Sequence, residues 1–297
     1  APRTVVVTST VEHSATKQMC EKHTDADLEV RAVAVNDDGT LDMDALVAAL
    51  DDDVAFCTTL WANNETGVLF DVEAIAEACH EKGVPFHCDA TQTLGKVPAD
   101  FHALGVDMAT IAAHKFYGPK GVGALFVRKG LRVDPLLIGG PQERARRGGT
   151  ENVPGIVGLG KAAEIANEML TDMERVETLR DKLEAGVAEL CGPIRINGVD
   201  APRLPNTSNI GFEGLAAEAI VIALSEQGIC ISAGAACSSG SMEASHVIQN
   251  MRVPEKFAHG SVRFSLGRFN TDADVDTLLA ILPGIVERLR SVMPVMA

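Results

Sequence analysis

Polar side chains follow four apolar segments of this chain, at the points where each segment ends. His13 follows VVVTST, Asn64 follows VAFCTTLW, Asp89 follows VPFHC with Gln92 close behind, and Lys115 follows MATIAA. In parallel α/β sheets, ligands bind beyond the carboxyl ends of the strands. We therefore expect an imidazole, amides, a carboxylate and an amine to meet at one edge of one sheet.

This set of groups suits pyridoxal phosphate. Lys115 can form an imine with the aldehyde of the cofactor, and Asp89 can keep the ring nitrogen protonated so that the ring accepts electrons. A carboxamide can hydrogen-bond the phenolic oxygen, and an imidazole can lie flat on the ring. The lysine has to lose its proton, which a desolvated strand end next to cationic groups favours. The sequence therefore predicts a cofactor site around a desolvated Lys115.

The elements that position these groups alternate between strands and helices in the first half of the chain. LDMDALVAAL reads as a helix with Asp42 as its N-cap, and DVEAIAEACHEKG as a helix that Asp71 opens and Gly83 closes. Short apolar runs lie between the helices. This pattern predicts an α/β fold with a mostly parallel sheet that is covered on both faces.

The second half of the chain has a different pattern. One long helix is predicted from about Ile156 to Leu190, and the segments IRING, NTSNIGF and SVRFSLG read as strands. The segment AAEAIVIAL reads as a helix between the second and third of these strands, and a further helix closes the chain after Asn270. We therefore expect a large cofactor-binding domain over residues 1–170 and a smaller α+β domain over residues 171–297.

Composition excludes several classes of protein. The 297 residues carry a net charge of −15, and such a surface repels phosphate backbones, so nucleic-acid binding is disfavoured. The short basic cluster in QERARRGGT is more typical of a local anion site. No apolar run reaches the length of about eighteen residues that a membrane span needs. A protein that binds neither nucleic acid nor a membrane is expected.

The seven cysteines are odd in number and irregularly spaced, which fits a reducing cytoplasm rather than a disulfide scaffold. His87 and Cys88 cannot easily share one metal ion, because neighbours on a strand point to opposite faces, and no metal site is predicted. Cys230 in GICIS is expected to be buried among apolar side chains. Cys237, among small residues in SAGAACSSGS, is expected to be exposed and mobile.

Five motifs, in order, closely resemble the cysteine desulfurases of iron–sulfur cluster assembly: HCDATQTLGK, AAHKFYGPKG, RRGGTEN, SAGAACSSGS and SVRFSLGRF. These are pyridoxal 5'-phosphate enzymes of the class V aminotransferase family, with the type I PLP-dependent transferase fold. The resemblance covers essentially the whole chain. Relatives begin before the strand that opens this sequence, so the large domain is expected to lack its N-terminal part and a phosphate-binding turn.

The resemblance assigns roles to the cofactor-binding residues of the large domain. Lys115 matches the Schiff-base lysine, and Asp89 matches the carboxylate on the pyridine nitrogen. Gln92 and Asn64 match amides near the phenolic oxygen and the substrate. His13 matches the imidazole that stacks on the ring and is also proposed to move protons.

Four further positions take their roles from the same resemblance. His114 matches a phosphate contact, and Thr150 matches a phosphate ligand that the partner subunit supplies, which implies a homodimer with shared active sites. Arg263 matches the arginine that binds the substrate carboxylate, a role that suits its bidentate fork. Cys237 matches the nucleophile.

The implied reaction converts L-cysteine to L-alanine. Cys237, as a thiolate, attacks the sulfur of the cofactor-bound substrate and retains it as a persulfide. The sulfur then passes to an acceptor such as a scaffold protein. Three alternatives stay open at this point: a selenocysteine lyase, another class V aminotransferase, and a non-catalytic sulfur-assembly protein that has kept only the fold.

Overall fold

A computed structural model describes residues 3–23, 28–234 and 244–292. Its larger sheet has six strands in the order β2-β1-β3-β4-β5-β6. The first five strands are parallel, and β6 runs antiparallel to β5 at one edge. The strands are β1 (Val5–Ser9), β2 (Glu29–Val33), β3 (Val54–Leu60), β4 (Phe86–Asp89), β5 (Met108–Ala112) and β6 (Gly123–Val127).

Helices α1 (Ser14–His23), α2 (Met43–Ala49) and α3 (Val72–Glu81) connect the parallel strands. Asp42 accepts a 2.9 Å hydrogen bond from the backbone N–H of Ala45, and Asp71 accepts one of 3.1 Å from Ala74. Both predicted N-caps are therefore confirmed, because each carboxylate satisfies an N–H that the helix leaves without a partner. The prediction of a mostly parallel sheet is confirmed as well.

The predicted single helix over residues 156–190 is wrong. The structure has a short α4 (Gln142–Ala145), then α5 (Val153–Glu168) and α6 (Met173–Leu190), with a 3-10 turn over Leu170–Asp172 between the two long helices. Asp172 pairs with Arg175 through two hydrogen bonds of 2.8 and 2.9 Å at the start of α6. This local ion pair supports a new helix start where composition alone shows continuous helical periodicity.

The smaller sheet has four antiparallel strands in the order β7-β8-β10-β9. Its own hydrophobic core includes the buried Ile210, Phe212 and Ile220, and α6 and the closing helix pack against it. The remaining elements are β7 (Ile194–Ile196), β8 (Thr207–Phe212), α7 (Ala217–Ser225), β9 (Ser232–Ala233), α8 (His246–Asn250), α9 (Glu255–Ala258), β10 (Ser261–Ser265) and α10 (Asp272–Val292).

Core packing and backbone hydrogen bonds join the two sheets, in addition to the chain that connects them. Val247, Ile248 and Met251 lie late in the sequence but pack into the core of the larger sheet. Backbone hydrogen bonds of 2.8 Å also link Leu69 to Pro202 and Leu204 to Gly67. Residues from the C-terminal part of the chain thus complete the core of the larger sheet. A domain boundary at residue 170 stays a prediction.

None of the helices in the described ranges is long and apolar enough to cross a membrane.

Candidate active site

The carboxyl ends of β1, β3, β4 and β5 open onto one cleft with a volume of about 940 Å³. Strand β9 and strand β10 of the smaller sheet close its other side. The cleft collects seven of the residues that the sequence predicts for the site, from both halves of the chain: His13, Asn64, Asp89, Gln92, His114, Lys115 and Arg263.

Asp89 is the last residue of β4 and is held in register between two neighbouring strands. It pairs with Leu60 on β3 and Thr110 on β5. Its Oδ1 accepts a 2.9 Å hydrogen bond from the backbone N–H of Thr91. The strand ladder and this turn fix the carboxylate at the edge of the sheet, where it faces the same cleft as the amine of Lys115.

His13 follows β1 and lies at the start of helix α1. Its Nδ1 accepts a 3.2 Å hydrogen bond from the backbone N–H of Ala15. A ring nitrogen that accepts a hydrogen bond carries no proton, so the neutral ring has its proton on Nε2. The side chain is exposed on the cleft wall, with a donor at Nε2.

Lys115 lies in a 3-10 turn over Ala113–Phe116 that directly follows β5. The turn ends at Tyr117, whose φ of 68° is left-handed, and Gly118 then donates a 2.8 Å hydrogen bond back to Ala113. A Cβ on Gly118 would come within 2.8 Å of the Ala113 side chain, which explains the glycine. The FYG segment thus turns the chain sharply just after the lysine.

The predicted desolvation of Lys115 is wrong for this structure, because its side chain is exposed within the cleft. The predicted cationic surroundings are present. Lys96 lines a smaller adjoining cavity together with Lys115 and Arg263. Burial, together with the charges of Lys115 and Arg263, lowers the pKa of Lys96 to about 8.

Arg263 projects from β10 of the smaller sheet, where it pairs with Asn209 and Ser232. Its Nη1 donates a 2.6 Å hydrogen bond to the backbone carbonyl of Asn64. Its buried Nε has no hydrogen-bond partner among the described residues. A half-satisfied guanidinium in a cleft has donors left for an anionic group such as a carboxylate.

Two buried carboxyl groups lie beside the cleft. Glu12 accepts hydrogen bonds on Oε1 from the hydroxyl of Ser9 and from the backbone N–H of Leu60, and burial raises its pKa to about 8. Burial likewise raises the pKa of Glu65 to about 7, although hydrogen bonding from Ser245 opposes the shift. Both groups favour the protonated form because a charge is costly to bury.

Sequence reasoning missed His87, which also lines the cleft. Its two ring nitrogens lie 2.8 Å from the hydroxyls of Thr58 and Thr110, on the strands to either side. Burial lowers the pKa of His87. Strand alternation was the signal that could have found it, because His87 and Asp89 share one face of β4 while Cys88 is buried in the core.

One predicted site residue is not brought to this cleft. Thr150 is exposed and lines neither cavity. Cys237 lies outside the described residues, whereas Gly234, just before that segment, lines the cleft. The prediction that Cys230 is buried is wrong. Ile229 and Ile231 pack against the core of the smaller sheet, and the side chain of Cys230, which lies between them in sequence, is exposed.

The residues in the cleft fit pyridoxal phosphate by their chemistry. An amine (Lys115), a carboxylate (Asp89), a carboxamide (Gln92) and an imidazole with an Nε2 donor (His13) line one cavity. These are the partners that an aldehyde, a pyridine nitrogen, a phenolic oxygen and a ring face require. Within the described residues, no group of His, Cys, Asp and Glu side chains is arranged to hold a metal ion.

Comparison with known proteins decides the family. A family model described as aminotransferase class-V matches residues 1–278. The chain belongs to the class-V aminotransferases. A cysteine desulfurase of Cereibacter sphaeroides is 49% identical over 293 residues, which cover 98% of this chain and 75% of that protein. The predicted family resemblance and the type I PLP fold are thereby confirmed.

Solved structures of this family have the same fold. A NifS-like protein superposes with a TM-score of 0.88 at 35% identity, covering 98% of this chain and 76% of that one. A structure described as SspA in complex with cysteine has a TM-score of 0.75 at 30% identity, covering 91% and 75% of the two chains. Members of the class-V aminotransferases use pyridoxal phosphate, which agrees with the donor set in the cleft.

Proposed function

We propose that this class-V aminotransferase is a pyridoxal-phosphate-dependent cysteine desulfurase, which converts L-cysteine to L-alanine and retains the sulfur as a persulfide on Cys237. The observation that carries the proposal is the cleft in which Lys115 and Asp89 lie together with Arg263, a cation with free donors. The relative from Cereibacter sphaeroides that covers almost the whole chain is a cysteine desulfurase.

We propose the cofactor-binding roles that the family resemblance implies and that the chemistry of the side chains supports. Lys115 would hold the aldehyde carbon of the cofactor, Asp89 its ring nitrogen, and His13 the face of its ring. Gln92 and Asn64 supply amides near the phenolic oxygen and the substrate. His114 would contact the phosphate, together with Thr150 of the partner subunit. When bound, pyridoxal phosphate supplies an electron sink for bonds at the substrate's α-carbon.

Substrate binding depends on Arg263 and Asn64. The guanidinium is held by the Asn64 carbonyl through one nitrogen, so its other donors can form a charge-assisted pair with the carboxylate of cysteine. The amine of Lys115 moves protons at the α-carbon, and Nε2 of His13, which lines the same cleft, can donate a proton. These groups orient the substrate and prepare its sulfur for transfer.

The sulfur step uses Cys237 as the nucleophile. The thiolate sulfur of Cys237 forms a bond to the sulfur of the substrate while the bond from that sulfur to the substrate's β-carbon breaks. The electron pair stays on carbon, which takes a proton and becomes the methyl group of alanine. The sum is L-cysteine plus a thiol giving L-alanine plus a persulfide, so no outside oxidant or reductant is needed.

We propose a homodimer with shared active sites, supported by an exposed apolar face. Leu136 is 93% exposed and Ile138 is 88% exposed, and Val153 and Val157 lie exposed at the start of α5. Large apolar side chains that are exposed in neighbouring segments of the chain are typical of a protein interface. Thr150 lies between these residues in sequence and away from its own cleft, as expected for a residue that serves the partner.

The dimer is tested by the size of the protein in solution. Leu136→Asp combined with Ile138→Asp should shift the protein toward monomer in analytical ultracentrifugation and weaken cofactor binding. Ile222→Asp on helix α7 is the control, because Ile222 is also exposed, at 61%, but lies on the smaller unit. An unchanged dimer in the double variant would refute this interface.

We further propose that the acceptor of the sulfur is a scaffold protein of iron–sulfur cluster assembly, as the family resemblance implies, and that the protein works in the cytoplasm. The described cysteines support a reducing compartment: all are free, and Cys57 and Cys79 contact each other in the core without a disulfide. Transfer of labelled sulfur from the persulfide form to a purified scaffold protein tests the acceptor.

The proposed reaction is tested by its products. The purified protein, incubated with pyridoxal phosphate, L-cysteine and a thiol reductant, should release alanine and sulfide in equal amounts. A transaminase would instead release a keto acid and need an amino acceptor. Alanine without sulfide, or neither product from a protein that holds the cofactor, would contradict the assignment.

A further inference from the structure

A second lysine lies beside the proposed cofactor site and has no role in the reaction described above. Lys96 is half-buried and lines the smaller cavity with Gln92, Lys115 and Arg263. Its Nζ donates a 2.6 Å hydrogen bond to the backbone carbonyl of Gln92 and a 3.1 Å hydrogen bond to Oε1 of the same residue. Lys96 therefore holds Gln92 at two points.

These two contacts determine which way the Gln92 carboxamide faces. An ammonium group can only donate hydrogen bonds, so the carboxamide must turn its oxygen toward Lys96. The Nε2 donor of Gln92 is then directed away from the lysine. Without the lysine, a glutamine side chain can present either its oxygen or its nitrogen at the same place, because the two orientations have nearly the same shape.

Local structure keeps the two residues together. Both lie in the turn that follows β4, and the backbone N–H of Lys96 donates a 3.0 Å hydrogen bond to the carbonyl of Thr93. Gly95, with a φ of 73°, lets the chain approach helix α5, where an added Cβ would come within 2.8 Å of Ala166. The lysine is thus carried on a rigid turn and not on a flexible loop.

The position is costly for a cation. Burial and repulsion from Lys115 and Arg263 together lower the pKa of Lys96 to about 8. A lysine placed only for solubility would lie on the surface. Groups held in an unfavourable electrostatic setting at a cleft are candidates for a functional role.

We propose that Lys96 is a positioning residue, which fixes the Gln92 carboxamide so that its Nε2 donor faces the cofactor cleft. The site then accepts only a ligand group that is a hydrogen-bond acceptor at that point. This inference rests on the proposed function, in which that acceptor is the phenolic oxygen of pyridoxal phosphate. Lys96 acts through Gln92 and does not touch the reacting atoms.

A double-mutant cycle in the full chain tests the inference. The dissociation constant of pyridoxal phosphate is measured for the wild type, Lys96→Met, Gln92→Ala and the double variant. Loss of one oriented hydrogen bond should weaken binding about threefold to tenfold in Lys96→Met. The same substitution should change binding less than about twofold when Gln92 is already alanine, because the coupled group is absent.

A second readout separates positioning from a general effect on the fold. The visible absorbance maximum of the bound cofactor depends on the hydrogen bond to its phenolic oxygen, so Lys96→Met and Gln92→Ala should shift it alike. Lys96→Arg should restore much of the wild-type spectrum, because its guanidinium can still donate to Oε1. Lys120→Met is the control, since Lys120 is exposed in the nearby turn after Gly118.

The outcomes are distinct. Equal weakening by Lys96→Met in both backgrounds would overturn the inference and leave the proposed function standing, because the wild type would still bind the cofactor. Failure of the wild type to bind pyridoxal phosphate would overturn the proposed function and this inference with it. A protein that binds the cofactor but does not release sulfide still allows the cycle to be completed.

Discussion

Nη1 of Arg263 donates a 2.6 Å hydrogen bond to the backbone carbonyl of Asn64, and this bond joins the two sheets across the cleft. Arg263 belongs to β10 of the smaller sheet, whereas Asn64 follows β3 of the larger one. Glu65, the next residue, is bonded through its carbonyl to Asn209 on β8. The guanidinium is therefore pre-oriented by the same contacts that hold the two halves of the protein together.

Arg263→Lys should weaken the use of L-cysteine. A lysine keeps the positive charge but cannot hold Asn64 and form a bidentate pair with a carboxylate at once. The loss of a charge-assisted hydrogen bond predicts a fall of about tenfold to hundredfold in kcat/KM, mostly through KM. Steady-state sulfide release at several cysteine concentrations measures the effect.

Arg288→Lys is the matched control for that experiment, because Arg288 is exposed on helix α10. It should leave both kinetic constants unchanged. A normal KM in Arg263→Lys would mean that the substrate carboxylate is bound elsewhere.

Lys115→Ala should abolish covalent attachment of the cofactor. Borohydride reduction of the wild type fixes pyridoxal phosphate on an amine, and peptide mass mapping should place the adduct on Lys115. The alanine variant has no amine at that position and should yield no adduct there, while Lys120→Ala should behave as the wild type. An adduct on Lys96 in the wild-type protein would show that Lys115 is not the lysine that binds the cofactor.

Stability should depend on pH through Glu12. Burial raises its pKa to about 8 in the folded protein, from 4.5 in an unperturbed chain. The folded state therefore binds an extra proton between these values, and stability is fully present below the lower value and is lost as pH rises through the upper one. Glu12→Gln cannot ionise and should lose this dependence.

Urea unfolding at pH 5 and pH 8, at equal cofactor loading, measures the effect. The free energy of unfolding of Glu12→Gln minus that of the wild type should be larger at pH 8 than at pH 5, by an amount on the order of a few kcal/mol at most. Glu189→Gln, exposed on helix α6, is the control and should show no such trend. The same change in stability between pH 5 and pH 8 in the wild type and in Glu12→Gln would contradict the raised pKa of Glu12.

Much of the fold could be predicted from the sequence because its signals are local. The N-caps Asp42 and Asp71 each act over three residues, and apolar runs such as VVVTS are buried along their whole length. The break between α5 and α6 was missed because the helical composition continues across it, and the pairing of Asp172 with Arg175 at the start of α6 leaves no mark on that composition.

The sequence predicts which side chains share one cleft where strand ends alone decide proximity. Asp89 ends the parallel strand β4 and Lys115 follows the neighbouring strand β5, so topology brings them to one edge. The exposure of Lys115 and of Cys230 could not be predicted, because exposure depends on which parts of the chain cover a residue. The contacts of Lys96 with Gln92 were missed for a related reason, since only the shape of the turn reveals them.

The most direct measurement is the mass of the protein after a single addition of L-cysteine without reductant, with the modified peptide identified. The account predicts an added sulfur atom on Cys237 in the wild type and in Cys230→Ser, whose altered residue is the exposed cysteine closest in sequence. In Cys237→Ser the cofactor should remain bound and no sulfur should be added. An added sulfur on Cys230 alone, or full sulfide release by Cys237→Ser, would contradict the account.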